Sequence, residues 1–264
     1  MEVLKYWNAD SFEISSYKFN LSNRVNKTYK TSGSDNTELC VYTYNELGFR
    51  GDSIKKEGFK VLSLGCSHTE GVGVNDNETW PAQFCNLIEN SVNFNFGVGG
   101  RSSDFIVRCL LSYYDILKPD LVLIQYPNIS RKEIYTSTGG VEPFMPQTSW
   151  GYLLETDDGK DIQNNMVSLQ NENSDFINWY KNHLLIKYFL ESKGANWLWN
   201  GSLYIPSDYK EFNRFDGDFF IFIDKAVDGS HAGPIHNKKY AEKLINYISS
   251  EFPSYIPNIK DTKS

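Results

Sequence analysis

Four short stretches of this 264-residue chain carry side chains or backbone suited to nucleophilic chemistry. The first is Gly65-Cys66-Ser67-His68-Thr69-Glu70-Gly71, a serine among small residues directly after the apolar run KVLSL at 60–64. A strand-to-helix turn of that kind can present a hydroxyl clear of the sheet. The second is Asp228-Gly229-Ser230-His231. A carboxylate three residues from an imidazole can accept the Nδ1 proton and fix the tautomer that leaves Nε2 to act as a base. The third is Gly99-Gly100, where a missing Cβ lets backbone N–H groups approach a ligand. The fourth is Gln125-Tyr126-Pro127-Asn128, which offers an amide as a donor to an anion. Each has a plainer account when taken alone. Ser67 and Asp228 would suit as helix caps, the glycine pair as a tight turn, and Asn128 as a turn residue after proline.

The elements around these stretches give them a common location. Residues 60–64, 92–96 (VNFNF) and 121–124 (LVLI) read as short buried strands, and 197–199 (WLW) and 219–223 (FFIFI) as further ones. Between them, helices are expected over about 79–87, from Ser102 or Ser103 to Leu117, over about 175–193, and over about 235–251. The third strand follows Lys118-Pro119-Asp120, which ends the preceding helix. Strands alternating with helices imply a parallel sheet covered on both faces, a three-layer α/β/α fold. In such sheets ligands bind beyond the carboxyl ends of the strands. The Ser67, Gly100 and Asn128 loops follow the first, second and third strands, so all three fall at that edge. The polar first 58 residues read as an N-terminal extension with short strands or turns. Residues 59–251 read as the main domain, with 126–174 an irregular insert or lid, and 252–264 as a tail.

Composition narrows the function classes. Lys and Arg total 26 against 33 Asp and Glu, a net charge of −7, and no basic block occurs. That disfavours nucleic acid and anionic membrane as partners. No apolar run nears the roughly 20 residues of a membrane span. The start, MEVLKYWNAD, lacks the basic and apolar regions of a secretory signal, so a cytoplasmic location is expected. Cys40, Cys66, Cys85 and Cys109 form no CxxC pair, which leaves zinc and a disulfide framework without support. Gly97-x-Gly99 echoes a dinucleotide fingerprint, but it follows the second strand and the third glycine spacing fails.

The four stretches, in this order, resemble the SGNH (GDSL-like) hydrolases, bacterial or phage-type members included. The family's GDSxTxG block is similar to residues 65–71, with Cys66 in the position of its aspartate. Its glycine block is similar to Asn95-Phe96-Gly97-Val98-Gly99-Gly100-Arg101-Ser102-Ser103, with Gly100 in the place of the block's glycine, and its asparagine block to Tyr126-Pro127-Asn128-Ile129. Its DxxH block is similar to residues 228–231. The segment Asn45-Glu46-Leu47-Gly48-Phe49-Arg50-Gly51 also resembles one that precedes the first block. The resemblance covers roughly 59–251 and implies a flavodoxin-like sheet and no metal or organic cofactor. It also implies a serine esterase acting on a small or carbohydrate-linked carboxylic ester. On that basis Ser67 is the expected nucleophile, His231 the base and Asp228 its orienting carboxylate. Ser67 N–H, Gly100 N–H and the Asn128 amide are the expected oxyanion donors.

Neighbouring residues compete for these roles. Cys66 is expected to be structural, and His68 to project away from Ser67. His236 is expected in a surface or supporting position, and His183 as a packing or exposed helix residue. Arg101, Tyr126, Arg131 and Trp150 are the candidate substrate contacts, with Tyr135 and Tyr152 beside them. Two other functions fit the same pattern. One is acyl transfer to an acceptor hydroxyl. The other is a non-catalytic SGNH-like binding module or phage structural protein, which would associate with a virion if phage-encoded.

Overall fold

The computed structural model describes residues 24–32, 39–135, 141–144, 164–201, 213–215, 219 and 221–260. A hairpin of β1 (Thr28–Ser32) and β2 (Leu39–Thr43) comes first, then β3 (Arg50–Gly51) and β4 (Phe59–Gly65). The one-turn helix α1 (Ser67–Glu70) and α2 (Trp80–Asn86) lead to β5 (Ser91–Gly97). Next come α3 (Ser103–Leu117), β6 (Leu121–Gln125), and a ribbon of β7 (Lys132–Tyr135) and β8 (Val141–Phe144). Helix α4 (Glu172–Ser192), β9 (Asn196–Asn200) and α5 (Pro234–Glu251) complete the order.

The central sheet runs β3-β5-β4-β6-β9. Its last four strands are mutually parallel, and β3 is antiparallel on the edge of β5. Alternate residues on each strand face opposite layers. Leu62, Leu64, Val122, Ile124, Trp197 and Trp199 join a core with α3 and α4. Val61, Leu121, Leu123 and Leu198 join another with α2 and α5. Burial on both faces explains why these strands read as unbroken apolar runs. The result is a three-layer α/β/α protein. Because β5 and β6 flank β4, the carboxyl end of β4 is the switch point of the strand order, the position at which open α/β sheets bind ligands.

Two expectations change. The run 219–223 is no strand among its described residues: Phe219 is buried, whereas Ile221 and Ile223 are exposed. The backbone beside β9 is 213–215 instead, through Trp199 N–H to Asn213 O and Phe215 N–H to Trp199 O. High strand propensity at 219–223 is overridden because the sheet's next position is already occupied. Residues 126–174 also contain regular structure. The β7–β8 ribbon is tied to α3 by the buried Arg108–Glu133 ion pair, with Nε to Oε2 at 3.0 Å.

The segment preceding β4 is locked to the loop that follows it. Arg50 is 1% exposed and spreads its guanidinium over main-chain oxygens: Glu70 and Gly71 from Nη1 at 2.8 and 2.6 Å, and Val74 from Nη2 at 2.9 Å. Its Nε meets Asp76 at 2.8 Å, and Tyr42 stacks on it with the ring centroid 4.0 Å away. A planar fork of donors suits this; a lysine's point charge does not. Arg50→Met should therefore destabilise the protein by about 3 kcal/mol or more, because buried carbonyls lose their donors. Arg50→Lys should recover only part of that. Urea unfolding measures both, and a loss below about 1 kcal/mol for Met would show that other donors step in.

Candidate active site

Helix α1 is four residues long and begins at Ser67. Its N-cap is Cys66, which makes no side-chain capping bond, so Ser67 is not a helix cap. The Ser67 side chain makes no hydrogen bond among the described residues, and the residue is 8% exposed. At a helix's first position its N–H has no intrahelical carbonyl to meet. The strand ends hold α1 from both sides. Asn95 of β5 donates to Thr69 O at 2.8 Å, and Thr69 Oγ1 donates to Gln125 Oε1 of β6 at 2.8 Å. The approach is so close that a Cβ at Gly97 would lie 2.2 Å from Glu70 N. Only glycine fits there.

The other expected donors lie on the loops after β5 and β6. Gly100 has φ +74°, and its N–H has no hydrogen-bond partner among the described residues. A Cβ built on the preceding Gly99 would be 3.8 Å from Ser67 Cβ, so the glycine turn runs alongside the candidate nucleophile. Asn128 Oδ1 accepts from Ser130 N–H at 3.0 Å, which commits the amide oxygen to its own turn. The amide nitrogen is then the end suited to a ligand oxygen.

The Asp228–His231 turn folds over from the amino end of α5. Its base is closed by Ala226 N–H to His231 O at 2.9 Å and by the pairing of Lys225 with Ala232. Val227 N–H donates to Gly73 O at 3.2 Å, which ties the turn to the loop after α1. His231 Nδ1 and Asp228 Oδ2 are 2.5 Å apart. A carboxylate only accepts, so Nδ1 carries the proton and Nε2 is left as the basic nitrogen. Partial burial pushes the Asp228 carboxyl up. The hydrogen bonds from Ser230 N–H and from the His231 ring and N–H outweigh that and hold it below its ordinary value. No hydrogen bond joins Ser67 Oγ to His231 among the described residues.

His68 packs beside the candidate base. Its ring centroid is 5.0 Å from that of His231, and Phe219 and Phe222 pack against it. Burial, then the neighbouring His231 and Arg131, lower its pKa to about 3, so the ring is neutral. Two candidate substrate contacts are in the interior. Tyr126 has no exposed surface; its hydroxyl is 3.0 Å from His183 Nδ1, and Trp179 and Trp199 pack edge-on against it. A side chain without surface cannot touch substrate. Arg101 is 4% exposed over the Phe105 ring. Arg131 is different: among the described residues its guanidinium makes no hydrogen bond or ion pair, and Nη1 is buried. Trp150 and Tyr152 lie outside the described residues. His236 is buried rather than on the surface, its Nδ1 accepting from Ile223 N–H at 3.3 Å.

All four cysteines are buried free thiols, and no cluster of metal-ligating side chains occurs among the described residues. No helix among them is long and apolar enough to cross a membrane.

No protein-family model and no curated protein matches this chain. Solved structures give remote likenesses. A member of the lipolytic protein G-D-S-L family from Veillonella parvula is 11% identical over 72% of this chain and 98% of its own, with TM-score 0.33. A carbohydrate acetylesterase family member from Sinorhizobium meliloti is 11% identical over 72% of this chain and 97% of its own, with TM-score 0.30. A carbohydrate esterase family 2 enzyme with a carbohydrate binding domain from Corynascus thermopiles is 10% identical over 72% of this chain and 65% of its own, with TM-score 0.38.

Two residues that organise the site were not singled out by the sequence reading. Arg50 appeared there only as a letter of the NELGFRG segment, and Glu70 only as a variable position of the first block. Glu70 is 3% exposed and accepts from Gly99 N–H at 2.6 Å. Neither shows a local signal, because every partner is distant in sequence.

The low pKa of His68 has a measurable consequence. The unfolded chain protonates this ring near 6.5, the folded one only near 3. Below pH 6.5 the unfolded state therefore binds the extra proton, and stability falls as pH drops, by up to about 1.4 kcal/mol per pH unit. His68→Gln should flatten that part of the slope in urea midpoints taken from pH 7 to pH 4. An unchanged slope would mean that the folded ring is charged.

Proposed function

We infer that this chain is a serine esterase of SGNH type, acting on a small or carbohydrate-linked carboxylic ester. The observation that carries this is the Asp228–His231 hydrogen bond, with the His231 ring 5.0 Å from that of His68, the residue next to Ser67. In this reading Ser67 Oγ attacks the ester carbonyl carbon while His231 Nε2 takes the hydroxyl proton. Asp228 keeps Nδ1 protonated and stabilises the imidazolium that forms. The tetrahedral oxyanion receives hydrogen bonds from Ser67 N–H, Gly100 N–H and Asn128 Nδ2. Collapse breaks the C–O bond, His231 returns the proton to the departing alkoxide, and an acyl-Ser67 ester remains. Water, activated by the same imidazole, then attacks the acyl carbon and releases the acid. An acceptor hydroxyl in place of that water would make the enzyme an acyltransferase with the same groups.

The open Ser67–His231 hydrogen bond is compatible with this reading, since catalytic hydrogen bonds often tighten only when substrate is bound. It also favours the second reading, a non-catalytic binding module. Arg131 suits a substrate contact, because its guanidinium, unpaired among the described residues, extends from a backbone that is bonded to Asn128 and acts electrostatically on His68.

A fluorophosphonate probe should label Ser67, and Ser67→Ala should abolish both labelling and hydrolysis of p-nitrophenyl acetate without loss of fold. Asn128→Ala should lower turnover by roughly 100- to 1,000-fold, the usual cost of one oxyanion donor. A folded protein that is neither labelled nor active above the Ser67→Ala background would favour the binding module.

A further inference from the structure

Glu70 holds two regions of the chain at once. Its Oε2 accepts from Gly99 N–H at 2.6 Å, and its Oε1 accepts from Arg24 Nη1 at 2.9 Å and from the Tyr44 hydroxyl at 3.1 Å. Burial pushes the Tyr44 phenol up, so that hydroxyl keeps its proton and remains a donor. Arg24 also lies over the Tyr44 ring, 5.0 Å from its centroid. A buried carboxylate with three donors around it is fixed in direction.

What it grips is the turn that offers Gly100. Arg101 N–H donates to Val98 O at 3.3 Å, which closes a four-residue turn with Gly99 and Gly100 at its centre. The φ of +74° at Gly100 is the value that a type II turn requires of its third residue. Types I and II differ by rotation of the central peptide, and that peptide's N–H belongs to Gly100. With glycine at both central positions the rotation meets little steric resistance. The direction of the Gly100 N–H therefore needs an anchor outside the turn, and Glu70 supplies one at the neighbouring N–H. The same carboxylate belongs to α1, the helix that starts with Ser67, so nucleophile and donor are tied to each other.

We propose that Glu70 is a positioning residue that sets the oxyanion donor of the glycine turn, and that Arg24 and Tyr44 hold it in that role. This rests on the esterase reading. It predicts that the segment carrying Arg24 and Tyr44 acts on turnover without touching substrate.

The test compares Glu70→Met with Glu70→Gln, which are similar in size but differ in whether the side chain can accept from Gly99 N–H. With p-nitrophenyl acetate, Glu70→Met should lower kcat about 10-fold or more and leave KM within about twofold, a smaller loss than deletion of a donor itself. Glu70→Gln should keep kcat within about threefold of the parent protein. Circular dichroism melts fix a temperature at which every variant is folded. Should Glu70→Met not fold, Arg24→Met at a part-exposed position takes its place, again with kcat down and KM unchanged. An unchanged kcat in the substituted variant, or an equal fall in Met and Gln, overturns the inference while the esterase reading survives. Turnover by the parent protein no greater than by Ser67→Ala overturns both.

Discussion

A helix of one turn cannot hold itself together: it fixes several backbone torsions for one or two hydrogen bonds. Yet α1 carries the residue on which the proposed chemistry turns, so its stability must come from elsewhere. Arg50 collects the carbonyls at its carboxyl end, Asn95 takes the Thr69 carbonyl, and Gln125 receives the Thr69 hydroxyl. Each of these partners is rooted in a sheet strand: β3, β5 and β6. The helix is in effect an appendage of three strand ends, and its position is as rigid as the sheet. The family resemblance expects an aspartate where this chain has Cys66. The ordering that a carboxylate would have contributed there comes here from Arg50 on one side and Glu70 on the other.

The sheet was largely legible in the sequence because its signals are local. The runs at 60–64, 92–96, 121–124 and 197–199 are strands extended by one residue at one or both ends, and proline after Lys118 marks the end of α3. The misreadings share a cause. The apolar run 219–223 has every local mark of a strand, but whether it pairs depends on a neighbour beyond β9 that is set by the whole chain. Tyr126 looked like a crevice residue because it follows a strand. Its ring instead meets Trp179, His183 and Trp199 from elements far downstream. Of the proposed site, the nucleophile and the Asp–His pair were visible as motifs. The groups that orient them were not, since a buried arginine or glutamate reads as an ordinary surface charge until its partners are known.

The acidic balance of the chain gives a poor picture of this region. Arg50, Arg101 and Arg108 are all buried, and the first is satisfied chiefly by carbonyl oxygens rather than by a carboxylate. His68 is kept neutral by its burial and by the neighbouring His231 and Arg131. Amides do much of the remaining work: Asn237 donates to Ala232 O and Gly233 O while accepting from Trp80 N–H, which joins the amino ends of α2 and α5. Amide side chains suit such joints because they donate and accept without bringing a charge into the interior.

The two-residue strand β3 also covers a sheet edge. Without it, β5 would be an open sheet edge, a row of unpaired N–H and C=O groups able to recruit a strand from another chain. Arg50 and Gly51 cover part of that row, and Asp52 finishes it: its N–H donates to Asn93 O at 2.8 Å, and its carboxylate accepts from Asn93 N–H at 2.8 Å. A side chain thus imitates the next rung of a ladder and stops it there. Immediately beyond β3, where a longer strand would have continued the sheet, an intruding strand meets a carboxylate already bonded to the edge. The segment that braces the α1 loop therefore also caps this part of the sheet edge against an added strand.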